Sequence, residues 1–120
     1  MVDKATIRRI IERNQKMYGG KPYGMDEIHA MADRIKAGLP DARVYLVGPY
    51  AWGWGERSHS VGFAIALPDE VLERTPTWKL EGEARRLAEP GEIPVEITVY
   101  PASIVADAPA DILGMRNIEM

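Results

Sequence analysis

Residues 44–67 read V-Y-L-V-G-P-Y-A-W-G-W-G-E-R-S-H-S-V-G-F-A-I-A-L, and their pattern decides the fold. An apolar run ends at Gly48-Pro49, an aromatic and glycine-rich stretch follows, and a second apolar run begins near Ser60. Short apolar runs bounded by turn residues predict buried strands. Val44 and Leu46 fall on one face of the first strand, Tyr45 and Val47 on the other, so both faces are expected to be covered. Gly48 permits a sharp turn, and Pro49 suits the first position of a short helix through Trp54, where a missing N–H costs nothing. In the second strand Val61, Phe63, Ile65 and Leu67 alternate with Gly62, Ala64 and Ala66. One face is bulky and the other small, which predicts close packing on the small side.

Helical spacing surrounds this unit. An amphipathic helix is expected over 3–18, with Asp3 as cap, Ile7, Ile10 and Ile11 on one side and Arg8, Arg9, Glu12, Arg13 and Lys16 on the other. Gly19-Gly20 and Pro22 end it, and the basic residues read as a solvated face. A second helix over 26–37 buries Ile28, Met31, Ala32 and Ile35, takes Asp26 as cap and stops at Gly38. His29 lies off its buried stripe and reads as an exposed side chain. After Leu67, Pro68-Asp69 ends the strand, and Thr75-Pro76 opens a helix to Ala88 with Glu81 paired to Arg85. Val95, Ile97 and Val99 alternate with Glu96, Thr98 and Tyr100 in a third strand that Pro101 closes. The tail over 103–120 reads as a helix broken at Pro109, with Gly114 near its end. The whole is one α/β (α+β) domain: a small mixed sheet of about three strands flanked by helices.

Composition narrows the function classes. A chain of 120 residues, 46% hydrophobic and 28% charged, is long enough to bury one core. Its net charge of -3 gives no electrostatic case for nucleic acid or an acidic membrane. Without cysteine there is no disulfide framework or thiolate metal site, which fits a reducing compartment. No apolar stretch approaches the roughly 18 residues of a membrane span, so a cytoplasmic protein is expected.

The stretch over 44–67 resembles the signature of the minimal nucleotidyltransferases of the DNA polymerase beta superfamily. There an apolar strand runs into Gly-Ser, with Ala and Gly two and four residues after the Ser, and an Asp-x-Asp pair opens the next strand. Gly48, Ala51 and Gly53 sit at the matching spacing. Pro49 stands where the family has Ser, and the two Asp positions fall on Ser60 and Gly62. Glu96 matches the third family carboxylate. The order of helices and strands also matches the family's small mixed-sheet core.

The resemblance implies a chemistry and shows what is missing from it. Nucleotidyl transfer relies on positioning and on magnesium ions held by anionic oxygens. No Asp or Glu occurs between Arg57 and Pro68. Ser60 offers a neutral hydroxyl, Gly62 no side chain, and Glu96 alone makes no magnesium cage. His59 and Glu56 are the nearby substitutes, and Glu96 reads as a group that is solvated or bonded to His59, Ser60 or Arg57 ahead of a metal ligand. Family members grip the triphosphate at the Gly-Ser turn, at a helix N-terminus. The corresponding nucleotide-binding positions are Gly48, Pro49, Ala51 and Gly53, with Arg57 as a further anion contact. Pro49 removes both an N–H and the hydroxyl.

Tyr50, Trp52 and Trp54 crowd this turn. Exposed aromatics anchor partners or stack on bases, whereas packed ones serve the core, and both readings stay open. Small family members often act as antitoxins beside a helical HEPN-type protein, so the resemblance implies such a partner. The leading expectation is therefore a catalytically impaired nucleotidyltransferase-like protein that binds a protein partner, and a nucleotide as well if the turn still grips one. A working transferase, using Mg2+ and ATP or another NTP through an unconventional ligand set, is the alternative. A small α/β domain with a merely structural likeness is the third reading. Self-association into a homo-oligomer stays open.

Overall fold

The structure, a computed structural model, describes residues 4–6 and 21–120. Residues 4–6 are helical, and the rest of the expected helix over 3–18 lies outside the described residues. From there the chain runs α1 (Met25–Gly38), β1 (Arg43–Val47), α2 (Pro49–Trp52), β2 (Val61–Leu67), α3 (Asp69–Arg74), α4 (Thr77–Ala88), β3 (Val95–Pro101), α5 (Ala102–Asp107), α6 (Pro109–Leu113) and β4 (Ile118–Glu119). The strands form one mixed sheet in the order β3-β2-β1-β4. β1 is antiparallel to β2 and β4, and β2 is parallel to β3.

Strand alternation sorts the sheet into two unlike faces. Val44, Leu46, Phe63, Ile65, Ile97 and Val99 pack with Ile28, Met31 and Ile35 of α1 and Leu80 and Ala84 of α4 in the main core. Phe63, Ile28, Met31 and Ile35 are fully buried, and each such side chain contributes about 1.5–3 kcal/mol. The two helices cross closely because Gly38 has no Cβ, and the Leu87 side chain fills that space. Arg34 adds a polar tie, donating through Nε and Nη2 to the Ala88 carbonyl at 2.9 and 2.6 Å, where the end of α4 leaves an orphan acceptor.

The other face carries the small residues. Tyr45, Ala64 and Ala66 form a second cluster with Val105 of α5 and Leu113 of α6. The close packing expected on the small side is therefore supplied by the tail helices. Their cover stops short: Glu96 and Thr98 are exposed, and Val47 and Gly62 are half-buried. That end of the sheet is where β1 enters the turn.

Several local expectations are corrected. The α1 N-cap is Gly24, whose N–H donates to the Glu27 carboxylate at 3.1 Å, and Asp26 lies inside the first turn. The helix after Pro49 stops at Trp52, because Gly53 adopts the left-handed conformation at φ 86° and ends the turn. Residues 69–74 form a helix of their own, α3, and α4 begins only at Thr77, after Pro76. Glu81 does not serve Arg85; its carboxylate accepts the Val99 N–H at 3.3 Å and so caps a donor on the outer edge of β3. Arg86 pairs instead with Glu83, one turn away. The break at Pro109 is present, while β4 was not expected at all. Two pairs with β1 define it, Tyr45 with Glu119 and Leu46 with Ile118.

Candidate functional site

Two glycines shape the turn between β1 and β2. Gly48 sits at φ 78°, ψ -159°, a region that is essentially glycine-only, and Gly53 at φ 86°, ψ 8°. Between them the amides of Ala51 and Trp52 both donate to the Gly48 carbonyl, at 3.0 and 3.1 Å, and the Trp54 amide donates to the Pro49 carbonyl at 3.2 Å. Pro49 has no N–H to offer. The Ala51 amide, at a position that the resemblance aligns with nucleotide binding, and the neighbouring Trp52 amide are thus turned inward to close the helical turn and are not offered to a triphosphate.

The register brings two of the three carboxylate positions together. Gly62 is the direct Cα partner of Glu96 across the parallel pair, and of Val47 across the antiparallel one. Val47, Gly62 and Glu96 therefore form one row on the less covered face. Ser60 precedes β2 and is half-buried. Glu96 is exposed, and its neighbour in the row supplies no oxygen. A Cβ at Gly62 would stand 3.0 Å from the Val47 carbonyl oxygen and 3.2 Å from its Cγ2, so even an alanine requires the strands to ease apart.

His59 and the backbone of Glu56, the two substitute ligand residues, are bonded to each other, and the Glu56 carboxylate takes no part in these bonds. The His59 N–H donates to the Glu56 carbonyl at 2.9 Å, and the Glu56 N–H donates to His59 Nδ1 at 3.0 Å. With Nδ1 accepting, the neutral ring carries its proton on Nε2 and has no free lone pair for a metal. Among the described residues no three His, Cys, Asp or Glu side chains are grouped to hold a metal ion. Ser60, Gly62 and Glu96, the positions that the resemblance aligns with the family carboxylates, do not fit magnesium.

Arg57 is also committed. Its guanidinium lies 4.4 Å from the centre of the Tyr23 ring, and Nη1 donates to the Lys21 carbonyl at 3.4 Å. It ties residues 21–23 to the loop.

The aromatic stretch divides by role. Tyr50 is 7% exposed and belongs to the main core. Its hydroxyl donates to the Glu56 carbonyl at 2.7 Å and accepts the Tyr23 N–H at 3.3 Å. Gly55 lies against its ring so closely that a Cβ there would be 2.5 Å from Cγ. Tyr50 is thus an internal pin, not a contact surface. Trp52 and Trp54 are 41% and 58% exposed. The Arg116 guanidinium stands 5.2 Å from the Trp52 ring centre, and Trp54 meets His59 edge to face at 5.5 Å.

Arg116 was missed in the sequence because it comes from a tail of weak periodicity, 64 positions after Trp52, and only the folding of α6 back onto the sheet brings it near. The charged groups whose ionisation is shifted lie elsewhere: the Ser103 hydroxyl and then its N–H hold the Asp69 carboxyl below its usual range, and Arg86 does the same for Glu83. No protein-family model matches the chain, and no curated protein or solved structure matches it.

Proposed function

We propose that this chain is a nucleotidyltransferase-like domain without catalytic metal chemistry, which works by binding a helical protein partner at the Trp52 and Trp54 surface. The observation that carries the reading is the row Val47, Gly62, Glu96. It sets Gly62 and Glu96, which the resemblance aligns with two of the family carboxylates, side by side next to the glycine turn, with one carboxylate and a spacing that any side chain at position 62 would have to ease. The scaffold geometry supports the likeness, and the residues supply no magnesium cage.

Binding then falls to the groups that are exposed at that end. Two tryptophans, one of them under an arginine, offer broad apolar area at low conformational cost, as interface anchors do. A helix-rich partner of the HEPN type is the chemistry that the family likeness implies.

Calorimetric titration of ATP and GTP, with and without magnesium, tests the first half. No magnesium-dependent binding up to millimolar nucleotide is expected, and magnesium-dependent transfer of AMP to any acceptor overturns the reading. For the second half, Trp52→Ala with Trp54→Ala should weaken capture of a purified HEPN-type partner by a factor of about 30 or more, the loss of one to two hot-spot side chains.

A further inference from the structure

At the opposite end of the second sheet face, where Arg43 pairs with Ala66, the tail helices roof a cavity of about 260 Å³. Tyr45, Ala66, Ala102, Val105 and Leu113 supply its apolar lining, and Arg43 and Asn117 its polar side chains. The alanines on both sides hollow it: Ala66 on the sheet and Ala102 on α5 leave space where larger side chains would interlock. The pocket is half open, and its volume approaches the lower end of small-molecule pockets, about 300 Å³.

Its charge is balanced internally. Arg43 donates to Glu119 through Nε at 3.0 Å and through Nη2 at 2.6 and 3.1 Å, so its charge is neutralised by a bidentate partner. Burial first, then the Glu119 carboxylate, raise the Tyr45 hydroxyl above the ordinary phenol value, which keeps it protonated. Asn117 Nδ2 donates to the Gly114 carbonyl at 3.2 Å, which leaves Oδ1 as the acceptor of this lining side chain. The Glu119 carboxylate offsets the pull of Arg43 on an anion, whereas a neutral ring with one donor meets an apolar lining and one acceptor.

We propose that this cavity is a binding site for a neutral monocyclic aromatic ligand carrying one hydroxyl or N–H donor, its ring among Tyr45, Ala66, Ala102, Val105 and Leu113 and its donor on Asn117 Oδ1. The site shares no residue with the Gly62 and Glu96 row, so it stands or falls independently of the proposed partner binding.

The test is titration of the full chain with p-cresol, toluene and p-toluate, followed by amide chemical-shift changes. Saturable shifts centred on Ala66, Ala102 and Asn117 are expected, with p-cresol about threefold to tenfold tighter than toluene, the worth of one hydrogen bond, and p-toluate weaker than both. Ala102→Leu should reduce p-cresol affinity at least tenfold while the remaining amide spectrum is kept. Ala106, exposed on α5 and also lining the cavity, gives the same test through Ala106→Leu if the first variant does not fold. No saturable shift up to about 5 mM p-cresol overturns the proposal. So does binding that the filling variants leave unchanged, or p-toluate binding more tightly than p-cresol.

Discussion

Removing one oxygen atom, by Tyr50→Phe, separates an internal pin from a contact surface. The ring stays, so the packing against Gly55 and the core is kept and no cavity opens. What goes is the pair of hydrogen bonds from the hydroxyl, 2.7 Å to the Glu56 carbonyl and 3.3 Å from the Tyr23 N–H. A net intramolecular hydrogen bond is worth about 0.5–1.5 kcal/mol. Glu56 is exposed and its carbonyl can take up water, which puts the first bond at the low end; Tyr23 is half-buried and its N–H is harder to rehydrate. The sum is about 1–2 kcal/mol. For a chain of this size, with a urea slope of about 2 kcal/mol per molar, the midpoint should fall by roughly 0.5–1 M.

The loss should also be local. Amide exchange at Tyr23 should accelerate, because its acceptor has gone, and the Arg57 stack on that ring should loosen with it. Exchange in β2 and β3 should follow only the global change. A midpoint unchanged within about 0.2 M, with Tyr23 still protected, refutes the pin. Full stability together with lost partner binding would return Tyr50 to the binding surface.

Other perturbations probe the backbone, the helices and the pH response. Gly48→Ala meets no atom within 4 Å, yet φ 78°, ψ -159° is closed to it, so thermal or urea unfolding should show a loss of about 1–3 kcal/mol. Gly82→Ala, inside α4 and equally free of neighbours, should instead gain about 0.5–1 kcal/mol by the same measurement. Asp69 has its carboxyl lowered by Ser103, so its contribution is present above the unfolded value of about 3.9 and is lost as pH falls through the folded one. The Ser103 amide, which donates to Asp69 Oδ1 at 3.2 Å, should therefore exchange faster only at acid pH, after correction for intrinsic exchange; in Asp69→Asn that acid step should vanish.

The buried stripe Ile28, Met31, Ala32 and Ile35, the span of β2 and the alternation in β3 were legible because periodicity is a local property of the chain. Glu81 shows the limit. Its helical spacing to Arg85 is real, but an unpaired Val99 N–H on the sheet edge competes for the same carboxylate, and only the packed fold brings that donor within reach. The same holds for β4, which has two residues and exists by pairing with β1, and for Arg116 over Trp52. In the stretch Tyr50 to Trp54 the residue types alone do not divide core from surface. The helical turn does so, turning Tyr50 inward and leaving Trp52 and Trp54 outward.

Position 62 links this geometry to the proposed lack of catalysis. A missing carboxylate at an open position is restored by one substitution. At Gly62 the Val47 carbonyl stands 3.0 Å from where a Cβ would be, so an aspartate there has to push β1 and β2 apart before its oxygens reach Glu96. Overpacking of this kind costs about 1–3 kcal/mol. Ser60→Asp alone meets no such obstacle in the strand, since it precedes β2. Under the proposed alignment, Ser60→Asp with Gly62→Asp should gain magnesium affinity by calorimetry and lose stability of that order in urea, whereas Ser60→Asp alone should do neither. Magnesium binding by the double variant at full stability would mean that the strands are not held at this spacing; a double variant that folds and binds no magnesium would remove the alignment of Ser60 and Gly62 with the family's carboxylates.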